Sequence, residues 1–259
     1  MALSLLLWLI ALVVAASFAV KRWWLPQPIN DHAAGFDAWF AINFWIAGFI
    51  FLAAQIALGW IVWRYRGRKA RFSEGDSRLE IIWTVLTTVL FVTASVIGAR
   101  MFAAIQFDPH PAGALRVEVS AQQFSWNFRY SGPDGRFGRT DVRSVNDAAG
   151  NPFGIDGKDA AGRDDIVSSA LRVPAGRPVR LILRSRDVIH NFFVRELRIK
   201  QDLIPGMEIP FRFAAAVPGE YEIACSELCG LGHHQMRSVL IVLAPAAFDA
   251  WLAAQSGGR

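Results

Sequence analysis

The chain opens with three long apolar stretches and only then changes to a mixed rhythm of polar and apolar positions. The first stretch, about 2–20, carries no charge; the second, about 36–63, is uncharged after Asp37; the third covers about 79–102. Each reaches the roughly 20 residues that a helix needs to cross the hydrocarbon core of a bilayer. Trp23, Trp24, Trp60, Trp63 and Trp83 stand near the ends of these stretches, where aromatic side chains favour the lipid–water boundary.

From about residue 112 the period changes to two. Arg116-Val-Glu-Val-Ser alternates, and within 178–184 the residues Val179, Leu181 and Leu183 share one face. Residues 219–223 and 238–243 read as further strands. Turn signals such as Pro133-Asp-Gly and Val217-Pro-Gly separate them. Short strands punctuated in this way predict a sandwich or barrel, closed by a short amphipathic helix over 245–255. Residues 131–168 interrupt the pattern, being rich in Gly, Asp and Arg. They read as a solvated insertion. Asp156, Asp159, Asp164 and Asp165 offer carboxylates for a hard cation, but at a spacing that matches no recognised loop.

Charge then orients the chain. The net charge is +5 and the pI about 9.7, which raises nucleic acid as a partner. The excess, however, sits in the loop 64–78, where Arg64, Arg66, Arg68, Lys69, Arg71 and Arg78 face only Glu74 and Asp76. From Asp108 onward 18 basic side chains balance 17 acidic ones, so nucleic-acid binding has no support. A short basic loop stays in the cytoplasm, which sends the second stretch inward, the third outward and the β-domain into a bacterial periplasm. The expected organisation is therefore a segment 1–22, a transmembrane helical hairpin over 36–107, and an outer domain over 112–259. Segment 1–22 is either a signal peptide with Ser17-Phe18-Ala19 as its cleavage site or an extra uncleaved helix. It lacks the basic start of a signal peptide, and its length suits a helix.

The chemistry is concentrated in Cys225-Ser-Glu-Leu-Cys229-Gly-Leu-Gly-His233-His234-Gln-Met236. With only two cysteines four residues apart, a disulfide framework is excluded, and no Cys-x-x-Cys-His haem motif is present. Cys, then His four residues on, then Met three further, is the loop spacing of a single-copper site, which also needs a distant His. His190, in Asp187-Val-Ile-His190, follows a strand and fits that need. Cys225 is the additional thiolate. Two thiolates at this spacing can bridge two coppers, with His190 and Met236 completing one and His233 and the Glu227 carbonyl the other. His234 has no part in this set. A strained disulfide, a Cys-Cys-His-His zinc site and a one-copper site with a spare cysteine each use part of it.

These residues carry a resemblance to subunit II of haem–copper cytochrome c oxidases over about 36–250. The motif from Cys225 to Met236 is similar to that family's copper-A motif. Asp187-Val-Ile-His190, Asp202-Leu-Ile-Pro205-Gly206 and Leu79-Glu80-Ile-Ile-Trp83-Thr84 are similar to further family blocks. The resemblance implies a helical hairpin followed by a cupredoxin-like Greek-key sandwich, a mixed membrane and all-β class. It implies a dinuclear copper A held by His190, Cys225, Glu227, Cys229, His233 and Met236, with a magnesium ion on the Glu227 side chain shared with subunit I. It further implies electron uptake from cytochrome c, transfer to haem in subunit I, and oxygen reduction and proton pumping there. Subunits I and III would be partners, and Glu80 would stand at the mouth of a proton channel. Glu80 reads equally well as a solvated carboxylate at a helix start.

The chain departs from the family in two places. Phe124 stands where the family has the first Trp of its electron-accepting aromatic block, leaving Phe124 and Trp126 as the aromatic surface. Trp126 alone reads as a packed core residue. Thr87 or Thr88 replaces a usual Pro. The near-neutral outer domain would steer a basic cytochrome c only weakly, so a membrane-bound or complex-attached cytochrome is a second candidate donor. A quinol oxidase subunit would lack the metal-binding residues. A nitric or nitrous oxide reductase would share the copper motif without the Glu80 block. A free copper chaperone would not need the tryptophan-flanked hairpin.

Overall fold

The computed structural model describes residues 2–20, 25–69, 72, 74–107 and 113–256. Trp23, Trp24, Arg71 and Asp108 lie outside the described residues. The chain divides into a helical unit and a β-rich unit.

The helical unit holds α1 (Ala2–Val20), most of α2 (Asp31–Tyr65) and most of α3 (Ser77–Gln106). All three are long and apolar enough to cross a membrane. Their large apolar side chains point outward, Phe49 and Phe91 among them, as lipid-facing residues do. Helix α1 packs on α2 through Trp8, whose indole N–H donates to the Ile56 carbonyl at 3.3 Å. A Cβ at Gly59 would stand 2.2 Å from that indole nitrogen, so only glycine allows this approach. The carboxylate of Asp76 accepts the N–H of Arg78 at 2.9 Å and caps α3.

The second unit is a sandwich of two five-stranded sheets. The first contains β1 (Leu115–Gln122), β2 (Ser125–Tyr130), β3 (Ile166–Ser168), β5 (Val179–Ser185) and β8 (Ile209–Phe213), in the order β3-β2-β1-β5-β8. The second contains β4 (Leu171–Pro174), β6 (His190–Val194), β7 (Ile199–Leu203), β9 (Gly219–Cys225) and β10 (Arg237–Leu243), in the order β4-β10-β9-β6-β7. Strands β1 and β5 run parallel with Val117 opposite Leu181 and Val119 opposite Leu183. These residues, with Phe128, Phe192, Ile223 and Leu240, form the dry interior between the sheets. Helix α4 (Pro245–Ser256) closes one edge by setting Trp251 edge-on to Tyr130 at 5.1 Å. The architecture is the expected one: apolar helices followed by a cupredoxin-like sandwich.

Two features depart from the simple pattern. Glu118 and Ser120 are polar positions on the outer face of β1, yet both are buried. The insertion covers them: Arg129 donates to Glu118 at 2.9 Å and to Asp165, and it reaches the Gly138 carbonyl at 2.6 Å. The insertion is therefore anchored by a buried ion cluster and does not simply float in solvent. Its other carboxylates are engaged too. Asp159 accepts the Arg139 N–H at 2.7 Å, and Asp156 accepts the Lys158 N–H at 2.9 Å.

The second feature is the segment 26–34, which joins α1 to α2 yet belongs to the β-rich unit. The Ile29 N–H donates to the Glu196 carbonyl at 3.2 Å, and the Ala216 N–H donates to the Ile29 carbonyl at 2.6 Å. Asn30 donates to the Leu197 carbonyl at 2.9 Å and accepts the Ala33 N–H at 2.8 Å. Asn30 thus caps α2, which starts at Asp31, ahead of the apolar run at Phe36.

Candidate metal centre

Strand β6 begins at His190 and β9 ends at Cys225, so neighbouring strands bring the distant histidine to the cysteine. Phe192 is paired with Cys225 across the β6–β9 ladder. The chain then loops from Cys225 to Met236 and returns as β10. The Cys225 N–H donates to the Met236 carbonyl at 3.2 Å and closes the loop at its base. Within the loop, His233 donates its N–H to Gly230 at 3.1 Å and Met236 to His233 at 3.2 Å, which makes one tight turn carrying both side chains.

The result is a cluster of sulfur and nitrogen donors. The two Sγ atoms lie 3.9 Å apart. His190 Nδ1 is 3.9 Å from Cys225 Sγ, and His233 Nδ1 is 3.5 Å from Cys229 Sγ. Met236 Sδ is 3.7 Å from Cys229 Sγ. The Glu227 carbonyl is 3.2 Å from Cys225 Sγ, while the Glu227 side chain is exposed. His190, Cys225, Cys229 and Met236 are buried, His233 is half-buried and His234 is exposed. The side chains of His190, Cys225, Cys229, His233 and Met236 and the Glu227 carbonyl thus lie together, while His234 is exposed.

The donor set tests which group it suits. The cysteines are free, and their sulfur separation far exceeds a disulfide bond. It matches the roughly 3.8 Å expected between two thiolates on one tetrahedral metal with bonds of about 2.3 Å. Two thiolates flanked by imidazole and thioether form a soft set, which suits copper. Thioether is a poor zinc donor, and Met236 points into the cluster. Burial pushes the Cys229 thiol up to about 11, and the neighbouring Cys225 sulfur adds to the effect. A metal taken up here must therefore displace protons.

Three residues that position this cluster were not picked out from the sequence. Asp187 Oδ1 lies 2.8 Å from His190 Nε2, so the ring donates from Nε2 and leaves Nδ1 bare toward the sulfurs. Burial alone would raise the Asp187 carboxyl, but the Gln123 N–H, the His190 ring and the Val188 N–H together hold it below the usual carboxylate range. Gln123 donates its N–H to Asp187 at 2.7 Å and its side-chain amide to the Cys229 carbonyl at 2.5 Å. Asn191 accepts the Ser226 hydroxyl at 2.7 Å and its own carbonyl takes the Ser226 N–H at 3.2 Å. Asp187 and Asn191 sit beside His190 in sequence, which was the available signal; Gln123 gave none.

The aromatic block splits into two roles. Trp126 is buried, edge-on to Phe192 at 5.9 Å and to His190 at 6.4 Å. Phe124 is partly exposed, with its ring across the metal-site turn. A Cβ at Gly232 would stand 2.5 Å from that ring, and Gly230 has a φ of 137°. Both glycines of Cys229-Gly-Leu-Gly-His233 are thus required by the fold. Glu80 lies in the helical unit, exposed in the first turn of α3.

Fold and site define a membrane-anchored β-sandwich protein with a sulfur-rich, copper-type donor cluster at the end of one sheet. Residues 115–243 match the family model of the cytochrome c oxidase subunit II periplasmic domain. The chain is 36% identical over 260 residues to the alternative cytochrome c oxidase subunit 2 of Bradyrhizobium diazoefficiens, covering 98% of this chain and 92% of that protein. It is 29% identical to cytochrome c oxidase subunit 2 of a Synechocystis species, covering 98% and 82% respectively. Among solved structures, the periplasmic domain of subunit II from Bradyrhizobium japonicum aligns at a TM-score of 0.42 and 24% identity, over 57% of this chain and 96% of that one. The chain belongs to the cytochrome c oxidase subunit II family, whose members are part of haem–copper terminal oxidases.

Proposed function

We propose that this chain is the electron-accepting subunit of a terminal oxidase, taking single electrons into a dinuclear copper A and passing them to haem in subunit I. Oxygen reduction and the proton pumping coupled to it would occur in subunit I. The observation that carries the reading is the convergence of His190, Cys225, Cys229, His233 and Met236 within about 4 Å of one another in successive pairs.

A copper pair, when bound, stores one electron shared between two nuclei. The protein supplies the rest. Cys225, Cys229, His190, Met236, His233 and the Glu227 carbonyl would hold the copper, the two thiolates supplying the charge and the imidazoles and thioether the neutral donors. Asp187 fixes the His190 ring, and burial excludes water, so the donors need not rearrange when the charge changes. The exposed Glu227 carboxylate is free to hold magnesium at the boundary with subunit I. Phe124 is the exposed aromatic beside the site and the contact for the donor, a cytochrome c or a membrane-bound cytochrome. Trp126 lies behind it, against His190. Glu80 serves the mouth of a proton channel. Subunit III is a further partner. The basic charge of the short loop 64–78 supports a cytoplasmic loop and a β-domain in the periplasm of a bacterial inner membrane.

Loading the full chain with copper should yield about two coppers per chain. The half-reduced form should give an electron paramagnetic resonance spectrum with one electron on two equivalent nuclei. A single-copper spectrum would overturn the dinuclear reading. Oxygen uptake driven by reduced cytochrome c, in a complex pulled down with this chain, tests the wider role.

A further inference from the structure

A row of three arginines crosses the first sheet of the sandwich. Arg116 on β1 stands opposite Arg180 on β5, and Arg180 stands opposite Arg212 on β8. The next residues, Val117, Leu181 and Phe211, are buried in the core, so the arginines occupy the outer face. Like charges directly opposite one another destabilise a sheet, and such a row calls for an anion.

The outer two arginines are held locally. Arg116 lies over the Phe137 ring at 5.2 Å, and Arg212 donates Nε to the Ile105 carbonyl at 3.0 Å. Arg180, in the middle, has no hydrogen-bond or ion-pair partner among the described residues, and its Nε is buried and unpaired. The carboxylates further along this face are already taken. Glu118 is paired with Arg129 at 2.9 Å, and Glu208 with Arg184 at 2.8 Å.

Arg180 and Arg212 line a cleft of about 100 Å³ together with His32, Ala114, Pro178 and Phe213, and no acidic side chain borders it among the described residues. The volume is far below the roughly 300 Å³ of a small-molecule site. It suits one compact anionic group whose remainder lies outside. The location says which. His32 belongs to the first turn of α2, and Ile105, whose carbonyl Arg212 reaches, to the last turn of α3, so the cleft is bordered by the ends of two helices apolar enough to cross a membrane. Arg177, donating to the Gly113 carbonyl at 3.2 Å, adds another cation at that end. The domain as a whole is close to neutral, so this is a local concentration of charge.

We propose that the Arg180–Arg212 cleft binds the phosphate of an anionic membrane lipid in the leaflet nearest the β-domain. The guanidinium fork matches a phosphate's oxygens in pairs, and arginines at a membrane surface attract anionic headgroups. The proposal does not depend on the copper reading, and R180M leaves all copper ligands in place.

The test is native mass spectrometry and thermal melting of the full chain in mild detergent, titrated with phosphatidylglycerol or phosphatidylcholine. Wild type should retain phosphatidylglycerol preferentially and melt higher with it. Arg180→Met should lower that retention by about fivefold, the value of one arginine near an anionic surface, and should lose the melting shift. Arg180→Lys should keep most of both. Lipid-free R180M should melt no lower than wild type, because the row's repulsion is relieved; this shows that the variant folds. Equal retention of the two lipids, or an unchanged R180M, overturns the proposal. So does an equal melting shift from inorganic phosphate alone, which would make the cleft a free-anion site. In the intact complex, a photo-crosslinker at position 180 should label lipid; labelling a polypeptide instead would also overturn it.

Discussion

His190 and Asp187 form a pair in which the carboxylate Oδ1 lies 2.8 Å from the ring Nε2, on the side away from the sulfur cluster. The same carboxylate accepts the Gln123 N–H through its other oxygen at 2.7 Å. One side chain thus ties the aromatic block to the metal-site histidine. Replacing Asp187 by Ala should leave the donor set intact but free the ring to turn. Copper affinity should fall by about 10–100-fold, read by competition with a chelator. Unchanged affinity would remove Asp187 from the site.

Gly232 tests the packing of the turn. In G232A the new methyl group meets the Phe124 ring, and overpacking of this kind costs about 1–3 kcal/mol. Combining G232A with Phe124→Leu should recover part of that loss. A double-mutant cycle on melting or urea unfolding would measure the coupling. Strict additivity would show that the ring does not clamp the turn.

The Arg129 cluster should behave as a buried ion network. Arg129→Met strips the buried Asp165 of its cation and leaves Glu118 only Arg184, at 3.4 Å, at a cost of about 3–5 kcal/mol. Burial already raises the Asp165 carboxyl above its usual range, with Arg129 opposing that rise. Losing the guanidinium should lift it further, so the damage should shrink as pH falls and Asp165 takes up a proton. Urea unfolding at neutral and mildly acidic pH checks both statements.

Metal uptake should follow the thiols. The folded Cys229 value lies near 11, above its ordinary 9.0, so the metal-free fold favours the protonated form. That contribution to metal-free stability is complete below about 9 and is lost as pH rises through about 11. Copper loading at neutral pH should release protons, measurable by pH-stat, and should tighten as pH rises through the neutral range. Loading without proton release would mean the thiols are ionised beforehand.

The parts of the fold legible in the sequence were those written in local pattern. The membrane helices follow from continuous apolar runs, and β5 from the alternation of Val179, Leu181 and Leu183. The ligands from Cys225 to Met236 lie on one loop, where spacing alone reports geometry. Contacts between distant backbone groups leave no such trace. Nothing in the composition of 26–34 marks Ile29 as a core residue, because its partners are carbonyl and N–H groups far along the chain. Glu118 and Ser120 looked solvent-facing because the insertion that buries them had no readable structure of its own. Gln123 supports the site through a side-chain amide to the Cys229 carbonyl, a contact that no residue spacing encodes.

The docked linker makes the order of synthesis matter. Ile29 leaves the ribosome early, whereas the groups it meets, the Glu196 carbonyl and the Ala216 N–H, are made more than a hundred residues later. Until then its backbone must be satisfied by water, and the sandwich cannot close. A soluble fragment begun after α3 would leave the Glu196 carbonyl and the Ala216 N–H without their Ile29 partners. Supplying the 26–34 peptide in trans is the natural way to complete it.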